Sequence, residues 1–186
     1  MNASLLQASD MYHPQLSEFE GKPVPTFIPV GTDQAPHIRI ARDMASRYRG
    51  FDFNKIASTY HMFLPGLKGD GKMSSSDPKS YISMTDDVKT VEKKIKKYAF
   101  SGGKGSVKEH REKGGNPDVD VSFQYLKMFF EPDDKKLKEI YNKYKSGEML
   151  TGELKEILIE KINNFLKQHQ KKREKAKDKV DEFINK

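Results

Sequence analysis

The stretch from Gly66 to Lys72 has the glycine and lysine spacing of a phosphate-binding loop. In a P-loop the backbone amides surround the phosphates, the lysine contacts them, and a Ser or Thr after the lysine binds Mg²⁺ through its hydroxyl. Here Met73 follows the lysine. A thioether does not coordinate a hard cation that prefers oxygen ligands, so the sequence argues against a P-loop.

The five residues from Lys72 to Ser76 read Lys-Met-Ser-Ser-Ser and resemble the KMSKS signature of class I aminoacyl-tRNA synthetases. The resemblance implies that Lys72, Ser74, Ser75 and Ser76 are catalytic and that Lys72 and Met73 contact ATP. When an amino-acid carboxylate attacks the α-phosphorus of ATP, negative charge builds on the pyrophosphate, and a lysine with several hydroxyl donors can stabilise it. Ser75 replaces the second lysine of the signature, as in the archaeal and eukaryotic branch. A serine-rich solvent loop is the alternative interpretation.

A second motif, from Gly31 to Gln34, reads Gly-Thr-Asp-Gln and resembles the GxDQ segment of the same enzymes. That segment lies at the carboxyl end of a Rossmann strand, where open α/β sheets bind their ligands. The resemblance implies that Gly31 and Asp33 bind ATP, with Asp33 accepting from the ribose hydroxyls. It also implies that Gln34 contacts the amino acid or the ribose and that Gln7 holds the amino or carboxylate group of the amino acid. Each polar residue is also a plausible turn former.

The longest likeness runs from Tyr98 to Phe123 and holds Tyr-Ala-Phe-Ser-Gly-Gly, Glu-His-Arg and Gly-Gly-Asn-Pro-Asp-Val-Asp-Val-Ser-Phe. It resembles tryptophanyl-tRNA synthetases of the archaeal and eukaryotic type, and the segment from Met149 to Lys155 extends it. Tyrosyl-tRNA synthetases share the fold and the KMSSS loop. The resemblance therefore makes L-tryptophan the amino acid expected at Gln7 and Gln34.

Basic residues of the second half are candidates for tRNA binding, because a helical domain contacts the anticodon in this family. The resemblance assigns this role to Lys104, Arg111 and Lys155, and to Arg39 nearer the catalytic side. Each could equally be a solvated charge. In eukaryotic relatives an acidic residue tends to follow the basic position after Phe-Ser-Gly-Gly, whereas here Gly105 offers only backbone groups to a base.

The activity implied by the resemblance is activation of L-tryptophan with ATP and transfer to tRNA(Trp), with Mg²⁺ carried by ATP phosphate oxygens and water. No HIGH-like pair occurs among the five histidines. We therefore expect a C-terminal fragment that is inactive alone and needs an N-terminal half, from the same gene or a separate chain. The complete enzyme is expected to be a homodimer. A stand-alone tRNA-binding module without catalysis is the alternative.

The composition of the 186 residues, 35% hydrophobic and 33% charged, is typical of a globular protein. A net charge of +7 favours a polyanionic partner, although excess lysine also keeps surfaces solvated. With no cysteine and no ligand-spaced histidine pair, a structural metal is not expected. The sequence has neither a secretory signal nor an apolar run of about 18 residues, which predicts a cytoplasmic protein without a membrane span.

The elements that must position these residues follow from hydrophobic periodicity. Buried strands are predicted at 24–30, where two prolines weaken the pattern, and at 59–64. Helices are predicted before Pro14, at 35–48 and 86–98, and, after a glycine-punctuated linker at 104–117, at 119–130, 137–144 and 154–166. Thr151 is the predicted N-cap of the last helix, and the charged tail from Lys167 either extends that helix or frays.

The predicted fold class is α/β and mostly helical. Residues 1–100 are interpreted as the C-terminal part of a Rossmann-like catalytic domain that carries the KMSSS loop. Residues 101–186 are interpreted as an all-α helical anticodon-binding domain.

Overall fold

The computed structural model describes residues 2–20, 22–69, 71–180 and 182. It divides into two compact units, Met1–Phe63 and Leu64–Lys186. The boundary predicted from the sequence, between residues 100 and 101, lies inside the second unit. As a boundary between functional domains it stays a prediction.

The first unit packs two helices beside a small parallel sheet. Its elements are α1 (Asn2–Tyr12), β1 (Val30–Gly31), α2 (Ala35–Arg47) and β2 (Tyr60–His61), with 3₁₀ turns at His13–Gln15 and Thr32–Gln34. In the sheet Val30 pairs with Tyr60 and Gly31 with His61. The helices predicted before Pro14 and at 35–48 are confirmed.

The predicted strand at 24–30 is wrong in extent, because only its last residue joins a strand. A single parallel bridge links Phe27 to Ala57, and Phe27 is 59% exposed rather than buried. Pro25 and Pro29 lack the N–H that a continuous ladder requires. The strand predicted at 59–64 is likewise shorter than expected, since β2 comprises only Tyr60–His61.

The core of the first unit lies between α1 and α2. Its buried members are Ala8, Met11, Tyr12, Ile38, Ala41 and Ile56. The Tyr12 hydroxyl donates to the Ala41 carbonyl at 3.0 Å, which satisfies its polar atom inside this core. Burial of the ring raises the pKa of Tyr12.

The second unit is helical. Its elements are α3 (Val88–Tyr98), α4 (Val107–Lys113), α5 (Val121–Tyr125), a π-helical turn (Leu126–Phe130), α6 (Asp134–Ser146) and α7 (Thr151–Lys177). The core forms where α3, α5 and the π-helical turn pack on α7. Its fully buried side chains include Val91, Ile95, Leu126, Leu154 and Leu158.

Two predictions about this unit are wrong. Helix α4 occupies part of the predicted linker, and its N-cap is Ser106, whose hydroxyl accepts from the Glu109 amide at 3.2 Å. Leu150, not Thr151, is the N-cap residue of α7, and the Glu153 carboxylate accepts from the Leu150 amide at 2.7 Å. The charged tail extends α7 as far as Lys177.

Within the part of the chain that the structure describes, no helix is long and apolar enough to cross a membrane.

Candidate functional site

The first candidate site lies at the carboxyl end of β1, where the Thr32–Gln34 turn leads into α2. The Gln7 side-chain amide, on α1, donates from Nε2 to the side-chain oxygen Oε1 of Gln34 at 2.7 Å. The structure thus brings together the two residues predicted to contact the amino acid. Adjacent side-chain amides offer donors and acceptors side by side, which suits an ammonium and a carboxylate on one ligand.

Gly31 and Asp33 also meet at this strand end. A Cβ atom on Gly31 would lie 2.9 Å from Asp33 Oδ1 and 3.2 Å from the Phe63 ring, so a larger residue at this position would displace the Asp33 carboxylate. The Asp33 side chain is exposed. An exposed carboxylate at a strand end can accept hydrogen bonds from paired hydroxyls such as those of a ribose. Arg39 lies on the exposed side of α2.

In the second unit, the loop that carries Lys72 to Ser76 is held at its base by Ser80, which is 6% exposed. The Ser80 hydroxyl accepts from the Ser74 amide at 2.9 Å and donates to the Asp77 carbonyl at 2.7 Å. Leu67 donates its amide to the Ser80 carbonyl at 2.8 Å. Hydrogen bonds to Ser80 therefore hold the two ends of the loop together.

An ion pair closes the same loop across its width. Lys68 Nζ lies 2.6 Å from Asp77 Oδ2. This hydrogen bond from Lys68 lowers the pKa of Asp77. The Ser74 and Ser76 hydroxyls lie 2.8 Å apart, and Lys72, Ser74, Ser75 and Ser76 are all exposed. The loop thus presents one lysine and three hydroxyls at the surface, as an anion-stabilising site requires.

The structure gives a second reason against a P-loop. A P-loop leads directly into a helix, whose N-terminus faces the phosphates. After Lys72 the chain makes turns, and the next helix begins only at Val88. Met73 instead lines an apolar pocket of about 300 Å³ together with Ile82, Met84 and Phe165.

The second candidate site of this unit is a groove of about 700 Å³ between the starts of α4 and α7. One side is formed by Lys104, Gly105 and Ser106, and the other by Leu150, Thr151, Gly152 and Glu153. Lys96, Lys155 and Glu156 also line it. Lys104 is exposed at its edge. We call this feature the α4–α7 groove.

Lys155 donates from Nζ to the Ala99 carbonyl at 2.9 Å and to the Lys96 carbonyl at 3.3 Å. A cation at a helix C-terminus satisfies free carbonyls and interacts favourably with the helix dipole, so Lys155 stabilises the end of α3. Burial lowers the pKa of the Lys155 amine, and the nearby Asp120 carboxylate opposes that shift.

Arg111 lies outside the lining of the groove. Its guanidinium donates to the Gly147 carbonyl at 3.0 Å and to the Glu148 carbonyl. These contacts join α4 to the turn after α6. Of the three tRNA-binding candidates in this unit, Lys104 alone has no backbone contact of this kind among those described.

Sequence reasoning missed three residues that shape the two sites of the second unit. Ser80 was not considered, although its place four residues after the serine cluster left a hydroxyl near the loop. Ser106 was assigned to a linker, although Ser-x-x-Glu before Val107 is a capping signal. Asp120 belongs to the segment from Tyr98 to Phe123 that carries the family resemblance, and it is fully buried. No periodic pattern could have revealed its burial.

Comparison with known proteins gives consistent results. A family model described as tRNA synthetases class I (W and Y) matches residues 4–167. A tryptophan–tRNA ligase of Sulfolobus acidocaldarius is 57% identical over 157 residues, which are 84% of this chain and 40% of that protein. One of Methanocaldococcus jannaschii is 46% identical over 177 residues, or 95% of this chain and 47% of that protein.

Solved structures agree. The tryptophanyl-tRNA synthetase of Aeropyrum pernix K1 superposes with a TM-score of 0.87 at 42% identity, over 95% of this chain and 47% of that one. The Plasmodium falciparum enzyme gives 0.76 at 42% identity, over 90% of this chain and 44% of that one. This chain therefore spans less than half the length of the relatives it matches.

Proposed function

This chain belongs to the class I tRNA synthetases that serve tryptophan and tyrosine, and we propose that it is part of a tryptophan–tRNA ligase. In this role it stabilises the pyrophosphate leaving group of ATP and binds tRNA(Trp). The observation that carries the proposal is the loop of Lys72 to Ser76, which is fixed at its base by Ser80 and has its cation and hydroxyls exposed. The family resemblance inferred from the sequence is confirmed.

In the proposed reaction the tryptophan carboxylate attacks the α-phosphorus of ATP, and pyrophosphate leaves. Lys72 and the hydroxyls of Ser74, Ser75 and Ser76 stabilise the charge that builds on the leaving group. A donor that is already in place contributes more than one that must reorganise during the reaction. The hydrogen bonds of Ser80 and the ion pair of Asp77 support such preorganisation.

Magnesium would arrive with ATP. Among the described residues no group of three or more His, Cys, Asp or Glu side chains is placed to hold a metal ion. Phosphate oxygens and water are ordinary ligands of Mg²⁺ at nucleotide sites. We therefore propose that the ion is bound by ATP and that Lys72 and the loop hydroxyls act on the same phosphates.

In the first unit we propose that Gln7 and Gln34 contact the amino and carboxylate groups of tryptophan and that Asp33 accepts from the ATP ribose. The hydrogen bond between the two glutamines supports a joint role, because it fixes both amides at the end of β1. The closeness of Gly31 to Asp33 supports a tight strand end beneath the nucleotide. Arg39 stays a proposed tRNA contact.

For tRNA we propose that the α4–α7 groove receives RNA and that Lys104 contacts it directly. Lys155 and Arg111 would support RNA binding indirectly. Lys155 holds the end of α3 beside the groove, and Arg111 joins α4 to the turn after α6. With Gly105 in place of an acidic residue, a base at this position would meet only backbone groups.

The whole reaction is proposed to need more protein than this chain, which matches 40% of the Sulfolobus acidocaldarius enzyme. The proposed partners are the N-terminal half of the synthetase, from the same gene or a separate chain, and a second copy in a homodimer. The proposed location is the cytoplasm. The second candidate function is a tRNA-binding module without catalysis. The location of the groove-lining residues within the second compact unit favours it.

The test is tryptophan-dependent exchange of pyrophosphate into ATP, measured with the chain alone and with the N-terminal half of the Sulfolobus acidocaldarius enzyme added. We expect exchange only after the addition. Lys72→Ala should then lower the rate by about 100-fold, the usual loss for one preorganised donor, while tryptophan affinity stays unchanged. Lys79→Ala is the matched control, because Lys79 is an exposed lysine whose ammonium lies over the Tyr98 ring, 5.8 Å from its centroid.

A normal exchange rate for Lys72→Ala in the complemented enzyme would contradict the catalytic assignment. Salt-dependent binding of tRNA(Trp) without exchange under any condition would favour the binding module, because phosphate contacts weaken steeply as salt rises.

A further inference from the structure

A buried carboxylate lies behind the α4–α7 groove. Asp120 is fully buried, and both of its carboxylate oxygens accept hydrogen bonds. Oδ1 accepts from the Ser122 amide at 2.9 Å and the Phe123 amide at 3.4 Å, which caps α5. Oδ2 accepts from the Gly102 amide at 2.8 Å and from the Tyr144 hydroxyl at 2.8 Å. One side chain thus connects α5, α6 and the loop that precedes α4.

The Tyr144 hydroxyl extends this connection to α7. It lies 3.0 Å from Thr151 Oγ1, at the first residue of that helix. Because its proton is donated to Asp120, the Thr151 hydroxyl donates to the tyrosine oxygen. The chain of hydrogen bonds therefore runs from the Gly102 amide through Asp120 and Tyr144 to the start of α7. One end lies two residues before Lys104, and the other is Thr151; Lys104 and Thr151 line opposite sides of the groove.

Gly103 shows how closely the two sides approach. A Cβ atom at Gly103 would lie 2.3 Å from Thr151 Oγ1 and 3.2 Å from His110 Nδ1. A side chain at Gly103 would have to displace the Thr151 hydroxyl, so the loop before α4 and the start of α7 approach closely at this point. Lys104 and Gly105, which follow directly, line the groove.

We propose that Asp120 and Tyr144 are positioning residues of the groove. They fix the distance between the Gly102–Ser106 loop and the start of α7, and RNA binds at that distance. Neither residue touches RNA, and both act through Lys104, Gly105 and Thr151. The inference rests on the proposed function in that the groove receives RNA.

A hydrogen bond to a buried carboxylate is a suitable device for this task. Bonds to charged groups are stronger than neutral ones, and every donor here is fixed by a helix or a tight loop. A carboxylate with four donors has no low-energy alternative arrangement. Burial is the main cause that raises the pKa of Tyr144, so the hydroxyl keeps its proton and remains a donor.

The experiment compares Tyr144→Phe with Tyr141→Phe in the full chain. Both changes remove one hydroxyl from α6, but Tyr141 lies one turn earlier and donates to the exposed Asp118 at 3.1 Å. Thr151→Val is a second variant, which removes the connection to α7 and leaves Asp120 and Tyr144 in place. The readouts are amide NMR shifts of Gly103, Gly105 and Thr151, and the affinity for a tRNA(Trp) transcript at several salt concentrations.

We expect Tyr144→Phe to shift all three amides and Thr151→Val to shift those of Gly103 and Gly105. Tyr144→Phe should lower RNA affinity by about tenfold, as for one lost hydrogen bond to a charged group, with the salt dependence unchanged because phosphate contacts remain. Tyr141→Phe should bind like the wild type. A merely structural role would lower the melting temperature of both tyrosine variants without this difference in affinity.

Three results would overturn the inference: amides at their wild-type positions in Tyr144→Phe, shifted amides with unchanged affinity, or equal losses of affinity in both tyrosine variants. If the wild-type chain binds no RNA, the proposed function of the groove fails. The amide shifts then still decide whether Asp120 and Tyr144 position its two sides.

Discussion

Removing the Ser80 hydroxyl should open the loop that carries Lys72 without unfolding the second unit. In Ser80→Ala the Ser74 amide loses an acceptor at 2.9 Å and the Asp77 carbonyl loses a donor at 2.7 Å. Each hydrogen bond contributes about 1 kcal/mol net, so loop closure should weaken by about 2 kcal/mol. This corresponds to about a 30-fold larger equilibrium constant for loop opening.

Amide hydrogen exchange measures that constant directly, because local opening exposes amides without global unfolding. The informative amides are those of Gly66, Leu67 and Asp77, whose acceptors lie within the loop or its base. They should exchange about 30-fold faster in Ser80→Ala, while amides of α7 keep their rates. Ser83→Ala is the matched control, since among the described residues the Ser83 hydroxyl bonds its near neighbour Thr85 and no loop residue.

The reasoning would be refuted if Ser80→Ala left these exchange rates unchanged, or if Ser83→Ala raised them equally. Faster exchange throughout the second unit would also refute it, because Ser80 would then support the core rather than the loop. If Ser80→Ala opens the loop as expected, it should also lower the rate of pyrophosphate exchange in the complemented enzyme without changing tryptophan affinity.

Three further outcomes are expected. The hydrogen bond from Lys68 lowers the pKa of Asp77, so the ionised Asp77 carboxylate should contribute fully to loop closure above about pH 4. This contribution should be lost as the pH falls through the lowered pKa of the folded chain, which amide exchange corrected for intrinsic rates measures. Glu131→Gln should destabilise the chain by about 1–2 kcal/mol in denaturant, because the buried Glu131 carboxylate lies 2.9 Å from Lys161 Nζ. Leu158→Ala should cost about 3 kcal/mol, since Leu158 is fully buried in α7, and equal stability of this variant and wild type would contradict the assigned core.

Much of the helical fold could be predicted from the sequence, because helices leave a local signal. The spacing of Val91 and Ile95 predicted the buried face of α3, and Asp87 caps that helix through the Thr90 amide at 2.6 Å. The strands could not be predicted in extent. Two prolines interrupt the run before Gly31, and parallel pairing with a segment about 30 residues away leaves no local pattern.

The roles of the candidate site residues stay predictions, and their contacts could be read only from the structure. The charge of Lys155 and its place in the segment from Met149 to Lys155 predict a tRNA contact. In the structure its ammonium donates to a carbonyl at the end of α3. Charge can be read from a sequence, but whether a lysine faces solvent or a helix end depends on packing. Gln7 and Gln34, in contrast, do lie in contact, although 27 positions separate them.

The change in composition after residue 100 did not mark a division between compact units, and backbone hydrogen bonds explain why. Phe100 donates its amide to the Leu67 carbonyl at 2.7 Å and accepts from the Val121 amide at 3.1 Å. The Tyr125 hydroxyl also donates to the Pro65 carbonyl at 2.8 Å. Buried backbone groups must be paired, so cutting the chain at this point would leave unsatisfied groups on both sides. The loop of Lys72 to Ser76 therefore folds with the helices that form the α4–α7 groove, and a fragment meant to keep that loop ordered must keep those helices as well.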